Sequence, residues 1–268
     1  MTEHAFAVEP GVDLHYTVDD FTDPWVQAPT LILVHGFGES GEAWRAWVPH
    51  LARHHRVVRF DMRGYGQSTA MREDYAWSMD RLLDDISAVA RQVGATRFHL
   101  IGAKSGGSLV LQYAARYPQA VLSVVAVTPP VVSAAAVPTW REQIASEGVL
   151  AWARSTMPGR LGSKAPRAEL EWWISNIHGR TPQSTLLGYL NWVPGLDLRE
   201  EVMKIQCPTL VITTTGSGLR TVDSVKEWQG KLARSELLVL AGDAWHAAAA
   251  YPDACAQAAA AFLDGQHR

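Results

Sequence analysis

The stretch Ile101-Gly102-Ala103-Lys104-Ser105-Gly106-Gly107 closes a short apolar run and opens a helical pattern. Glycines on both sides of one residue allow a turn too tight for larger neighbours, and such a turn thrusts the central side chain outward. Two frames fit these residues. Centred on Lys104, the turn has Gly102 and Gly106 at its flanks; centred on Ser105, Ala103 stands where the first glycine would be. The Lys104 frame is favoured because it keeps both glycines, and Ser105 remains the alternative.

Outward from this turn, short runs alternate with helical segments. Residues 30–34 (TLILV), 56–60 (RVVRF), 97–101 (RFHLI), 122–127 (LSVVAV), 209–213 (TLVIT) and 236–240 (ELLVL) are apolar almost throughout. Strands of a parallel sheet covered on both faces have that character. Residues 12–18 (VDLHYTV) alternate polar with apolar and suit an antiparallel edge strand. Residues 80–93 place Leu82, Leu83, Ile86, Val89, Ala90 and Val93 on one helical face, and Gly94 is a stop signal. Residues 105–117 continue the glycine turn as a helix, and 247–263 are expected to form one final alanine-rich helix. The alternation predicts a three-layer α/β fold with a mainly parallel, doubly wound sheet. It breaks over residues 131–198, which are helical, rich in tryptophan and punctuated by proline. The strand pattern then resumes, so 131–198 are read as a helical cap inserted into a core made of 1–130 and 199–268.

The chain has 268 residues, 47% of them hydrophobic, which is enough for one substantial core. Its net charge of −3 is spread without a basic stripe, which argues against nucleic acid and membrane surfaces and leaves a small molecule as the expected partner. No run approaches the roughly 20 apolar residues of a membrane span. The first residues lack a signal-peptide pattern, and two cysteines, Cys207 and Cys255, are too few for a disulfide framework. A cytoplasmic location is expected. No cluster has metal-ligand spacing and no glycine turn matches a dinucleotide fingerprint, so neither metal nor organic cofactor is implied. Oligomeric state is not legible.

Four patterns stand in order along the chain: His35-Gly36-Phe37-Gly38 after a strand, Asp61-Met62-Arg63-Gly64-Tyr65-Gly66-Gln67-Ser68, the glycine turn at 102–106, and a late His246 before the closing helix. Together they resemble the α/β-hydrolase fold family, whose nucleophile sits on a Gly-x-nucleophile-x-Gly turn. The resemblance implies Lys104 in the nucleophile's place, with Ser105 as the alternative nucleophile. It also implies His246 as the acid/base, and the backbone N–H groups of Phe37 and Ser105 as oxyanion donors. His35, Asp61 and Arg63 are read as structural. The chain departs from the family pattern in three ways. A lysine replaces the nucleophile, residues 214–220 (TTGSGLR) carry no acid where the family offers one, and Trp245 stands where glycine is common.

These departures suggest their own chemistry. A lysine at a helix N-terminus, beneath an apolar cap, is pushed towards the neutral amine by the helix dipole and by desolvation. A neutral amine attacks ketones and aldehydes to form a Schiff base, and His246 could move the protons. Glu39 or Glu42 beside Lys104 would instead keep it charged. Gly36, Trp140, Trp192 and Trp245 are expected to contact the substrate, an aromatic or apolar carbonyl compound. The expected function is therefore an enzyme of this fold with a Lys/His site in place of Ser/His/Asp. The alternatives are a Schiff-base lyase or decarboxylase, a site in which Lys104 acts as a non-covalent base or clamp, an ordinary esterase through Ser105, and an inactive ligand-binding protein.

Overall fold

The computed structural model describes residues 1–267. Eight strands form one sheet in the order β1-β2-β4-β3-β5-β6-β7-β8. They are β1 (Thr2–Glu9), β2 (Val12–Asp19), β3 (Thr30–Val34), β4 (Arg56–Phe60), β5 (Phe98–Ala103), β6 (Val121–Val127), β7 (Thr209–Thr214) and β8 (Ser235–Leu240). β1 and β2 run antiparallel to their neighbours, and all pairs from β4 to β8 are parallel. The strand pattern of the sequence thus locates seven of these segments to within a residue or two at each end. β1 is the one it missed. Most of β1 is exposed, so its side chains lack the burial pattern that marks a strand in sequence.

The helices are α1 (Val48–Leu51), α2 (Met79–Gln92), α3 (Ser105–Arg116), α4 (Val137–Glu147), α5 (Val149–Leu161), α6 (Arg167–Asn176), α7 (Gln183–Trp192), α8 (Arg199–Val202), α9 (Val222–Gln229), α10 (Ala247–Ala250) and α11 (Pro252–Asp264). Strand periodicity divides the core in two. Ile32, Val34, Val58 and Leu100 point to one face of the sheet, and Leu31, Leu33, Val57 and Ile101 to the other. The first face is covered by α2 and α3, with α4 to α8 continuing the same apolar cluster; the second by Trp44, Trp47 and α11. Ser78 caps α2 by accepting from the Arg81 N–H at 3.3 Å. Leu82, Leu83, Ile86, Val89 and Ala90 make its buried stripe.

The closing segment is two helices rather than the single one expected from its alanines. Pro252 has no N–H to continue α10 and disfavours a helical residue before it. Tyr251 accordingly leaves the helix, at φ −131° and ψ 55°, and α11 restarts at Pro252. Cys207 and Cys255 are buried and unbridged. Among the described residues no helix is long and apolar enough to cross a membrane.

Register sets the site. Val34 lies opposite Gly102 and Gly102 opposite Ala126, so β3, β5 and β6 end side by side. The chain leaves β3 towards β4 on one side, while β5 lies on the other. Parallel sheets place ligand crevices at such a reversal, beyond the strands' carboxyl ends.

Candidate active site

The turn between β5 and α3 is centred on Lys104, whose backbone adopts φ 54° and ψ −125°. That conformation costs a non-glycine residue about 1–3 kcal/mol. Space around the turn explains its glycines. A Cβ at Gly102 would stand 2.3 Å from the Gly106 carbonyl oxygen, and one at Gly106 would stand 2.2 Å from the Val34 carbonyl oxygen. Gly107 is less constrained, since its Cβ would meet the Pro129 side chain at 3.0 Å. The two glycines that geometry demands are those flanking Lys104.

Lys104 projects into a cavity with ≈ 80 Å³ of room for the centre of a water-sized molecule. Phe37, Val137, Trp140, Leu190, Val193 and Leu196 supply apolar wall, mostly from the helical segment above the sheet. The Lys104 Nζ donates to the Trp245 carbonyl at 2.9 Å and lies 4.5 Å from the centre of the Trp245 ring. Burial is the main force on its amine, reinforced by the Arg160 charge and outweighing the pull of Glu39. The pKa falls to about 7.

Arg160 of α5 is the neighbour the sequence did not reveal. It is 2% exposed, and its guanidinium lies between the indoles of Trp152 and Trp245, 4.9 and 4.4 Å from their centres. It sits there because the end of α5 is stitched to the loop before α10. Trp245 N–H donates to the Gly159 carbonyl and His246 N–H to the Arg160 carbonyl, both at 3.1 Å. These acceptors belong to the last turn of α5, where carbonyls lack intrahelical partners. Gly159 also permits the approach, since a Cβ there would stand 2.6 Å from Trp245 Nε1.

His246 lies in a second, drier layer. Its Nε2 is 2.6 Å from Glu39 Oε1, and both residues are buried. A carboxylate only accepts, so Nε2 carries the proton in this pair. Nδ1 has no partner among the described residues. His178 Nε2 stands 3.9 Å from the same carboxylate oxygen, and Trp173 packs against both imidazoles. Burial alone would raise the Glu39 carboxyl. The charge and hydrogen bond of His246, with His178 and Arg160 behind, instead hold it well below the usual carboxylate range. The second carboxylate oxygen accepts from Gly36 N–H at 3.0 Å and braces the loop after β3.

Several expected positions take a different place. Glu39 forms no ion pair with Lys104: its carboxylate is used by His246 and Gly36. Glu42 is exposed and turns to Arg45 and Arg59. Gly36 stands outside the cavity walls, its N–H taken by Glu39 and its carbonyl accepting from His35 Nδ1 at 2.8 Å. Trp192 packs edge-on against Tyr189 at 5.4 Å, one layer behind the wall. His246 does not border the cavity either, and no hydrogen bond joins it to Lys104 or Ser105 among the described residues. Phe37, Ser105, Trp140 and Trp245 do line it. His35 accepts from Met62 N–H at 3.0 Å, Asp61 accepts from the N–H groups of Gly41 and Gln67, and Arg63 forks onto Asp85 at 2.6 and 2.7 Å. These three hold turns beneath the site. The described residues contain no group of three His, Cys, Asp or Glu side chains placed to hold a metal ion.

The sequence profile of the alpha/beta hydrolase fold matches residues 29–250. The chain belongs to the α/β-hydrolase fold family. Within that family it is 35% identical to pig bifunctional epoxide hydrolase 2 over 124 residues, 46% of this chain and 21% of the relative. It is 33% identical to epoxide hydrolase B of Mycobacterium tuberculosis over 121 residues, 45% of this chain and 33% of that protein. These alignments span only a fifth to a third of the curated relatives. A longer match joins it to the putative carbamate hydrolase RutD of Escherichia coli O1:K1, 26% identical over 81% of this chain and 84% of the relative. The enol-lactonase of Burkholderia xenovorans LB400 shares the fold, with a TM-score of 0.86 at 24% identity, covering 96% of this chain and 99% of that one.

Lys104 leaves a signature in stability. Folded, its amine loses its proton near pH 7; unfolded, near 10.5. Between those values the unfolded chain binds the extra proton, so the native state gains stability as pH rises through that window. Lys104→Met is therefore expected to melt above wild type at pH 6, with a gap that shrinks steadily towards pH 10. Equal gaps at both ends would show that the amine is not desolvated.

Proposed function

We propose that this α/β-hydrolase-family protein is an enzyme acting on a small apolar or aromatic carbonyl compound through Lys104 in the nucleophile's place. Residues 131–198 serve as the cap that closes the site, and the reaction belongs in the cytoplasm. One observation carries the reading: the strained, glycine-flanked turn presents a lysine to an apolar cavity in which its amine is held near neutrality.

A neutral amine that donates one N–H to the Trp245 carbonyl still has its lone pair free. That pair attacks the carbonyl carbon to form the C–N bond; the oxygen takes one proton from the attacking amine and a second from solvent, the C–O bond breaks to release water, and an iminium remains. The N–H groups of Phe37 and Ser105 are the donors proposed for the oxygen during attack. The Glu39–His246 pair is proposed to act from behind, by fixing the loops that carry Phe37 and Trp245.

Intact mass after incubation with a panel of apolar aldehydes and ketones plus borohydride tests this. A single adduct mapping to Lys104, absent in Lys104→Ala, is the expected result. Equal labelling of both proteins would sink it. Ester turnover that survives Lys104→Ala and dies in Ser105→Ala would move the reaction to Ser105.

A further inference from the structure

We infer that the cavity takes a substrate bearing a carboxylate, held by the guanidinium groups of Arg160 and Arg220 while its carbonyl faces Lys104. The inference rests on reading this cavity as the active site.

Three basic side chains, Lys104, Arg160 and Arg220, border the cavity, and no carboxylate does. Arg160 is buried yet has no ion pair among the described residues, and its one hydrogen bond runs from Nε to Thr156 Oγ1 at 3.3 Å. Burial lowers its pKa only to about 10, so it keeps its charge at neutral pH. The indoles of Trp152 and Trp245 cover its faces. Neither terminal nitrogen of its guanidinium has a hydrogen-bond partner among the described residues, which leaves free the edge that carries them. That edge is the one matched to the two oxygens of a carboxylate.

Arg220 adds a second charge from the loop after β7. It is half-buried, donates to the Val132 and Leu219 carbonyls, and has no carboxylate partner. Glu39 acts on Arg160 only at a distance: its oxygens accept from His246 and Gly36, and no ion pair joins it to either arginine among the described residues. Buried charge without a partner is expensive, and proteins keep it where a ligand completes the pair. The walls between these charges are apolar, so the ligand that fits is an oxo acid with an apolar or aromatic tail.

Binding separates this from the covalent chemistry. The probes are 3-phenylpropanoate and its uncharged isostere 3-phenylpropanamide, neither of which carries a ketone or aldehyde. Both are titrated by quenching of tryptophan fluorescence at pH 9, where Lys104 is mostly neutral and both arginines are charged. Wild type should prefer the carboxylate by on the order of tenfold or more. Arg160→Met should bring the ratio close to one, Arg220→Met should lower it, and Arg160→Lys should keep part of it. Thermal melts verify folding, and Arg160→Met should melt no lower than wild type. No preference in wild type at pH 9, or one that ignores both arginines, would overturn the inference. A carboxylate preference without any borohydride adduct would leave the anion site standing and remove the Schiff-base reading; an adduct without the preference would do the reverse.

Discussion

Lys104→Ala is expected to abolish capture of carbonyl compounds by borohydride and to lower turnover of any ketone substrate by about a thousandfold or more, as loss of a covalent nucleophile does. Fold should survive, because the turn is held by Gly102, Gly106 and their backbone contacts rather than by the side chain. The pH dependence distinguishes this amine from those on the surface. Capture requires the unprotonated form, so its rate should rise with pH up to about 7 and flatten above, following the depressed pKa of Lys104. Ordinary lysines remain protonated until about pH 10. A capture rate that keeps rising to pH 10 in wild type would mean that the amine is solvated and that the site works otherwise. Ser105→Ala should retain capture, since its part is played by a backbone N–H.

Glu39→Gln is expected to be the most destabilising single change near the site, at about 1–3 kcal/mol, the usual cost of leaving a buried hydrogen-bonding group without its partner. The substitution keeps size but leaves one acceptor oxygen for two donors, so either His246 Nε2 or Gly36 N–H faces an NH2 group and loses its partner. Chemical denaturation of both proteins measures the loss, and a change below 1 kcal/mol would show that the pair is incidental. Wild type should carry the matching pH signature. The Glu39 carboxyl is depressed in the folded state, so the unfolded chain binds the extra proton as pH falls below about 4.5. The contribution is complete above that value and is lost progressively towards acid. In Glu39→Gln that part of the acid sensitivity should vanish.

The two substitutions probe different layers. Lys104 borders the cavity, where it meets substrate in the proposed reaction. Glu39 and His246 sit behind it, and the loss expected from Glu39→Gln is of stability and loop position first. His246 was expected to act directly on substrate; its ring instead turns towards Glu39 and Trp173. A residue immediately before a predicted helix can be located by pattern, but the direction of its ring depends on which partner the rest of the fold supplies.

Local order explains what was legible. The parallel strands announce themselves because both faces are buried, which leaves continuous apolar runs such as residues 30–34 and 209–213. The glycine turn is legible because its two glycines stand close together in the sequence, although one is required by the Gly106 carbonyl within the turn and the other by the Val34 carbonyl of β3. β1 escaped because little of it is buried, and the break at Tyr251 was overlooked although Pro252 signals it locally.

The sequence by itself determined the sheet and the glycine-flanked turn that carries Lys104, since both follow from burial or sterics. Only the tertiary structure decided which charges meet. Glu39 reaches His246 across 207 residues, and Arg160 reaches the cavity because the end of α5 docks on residues 245 and 246. Electrostatic partners are chosen by through-space distance, and a single chain does not encode that distance in any local pattern.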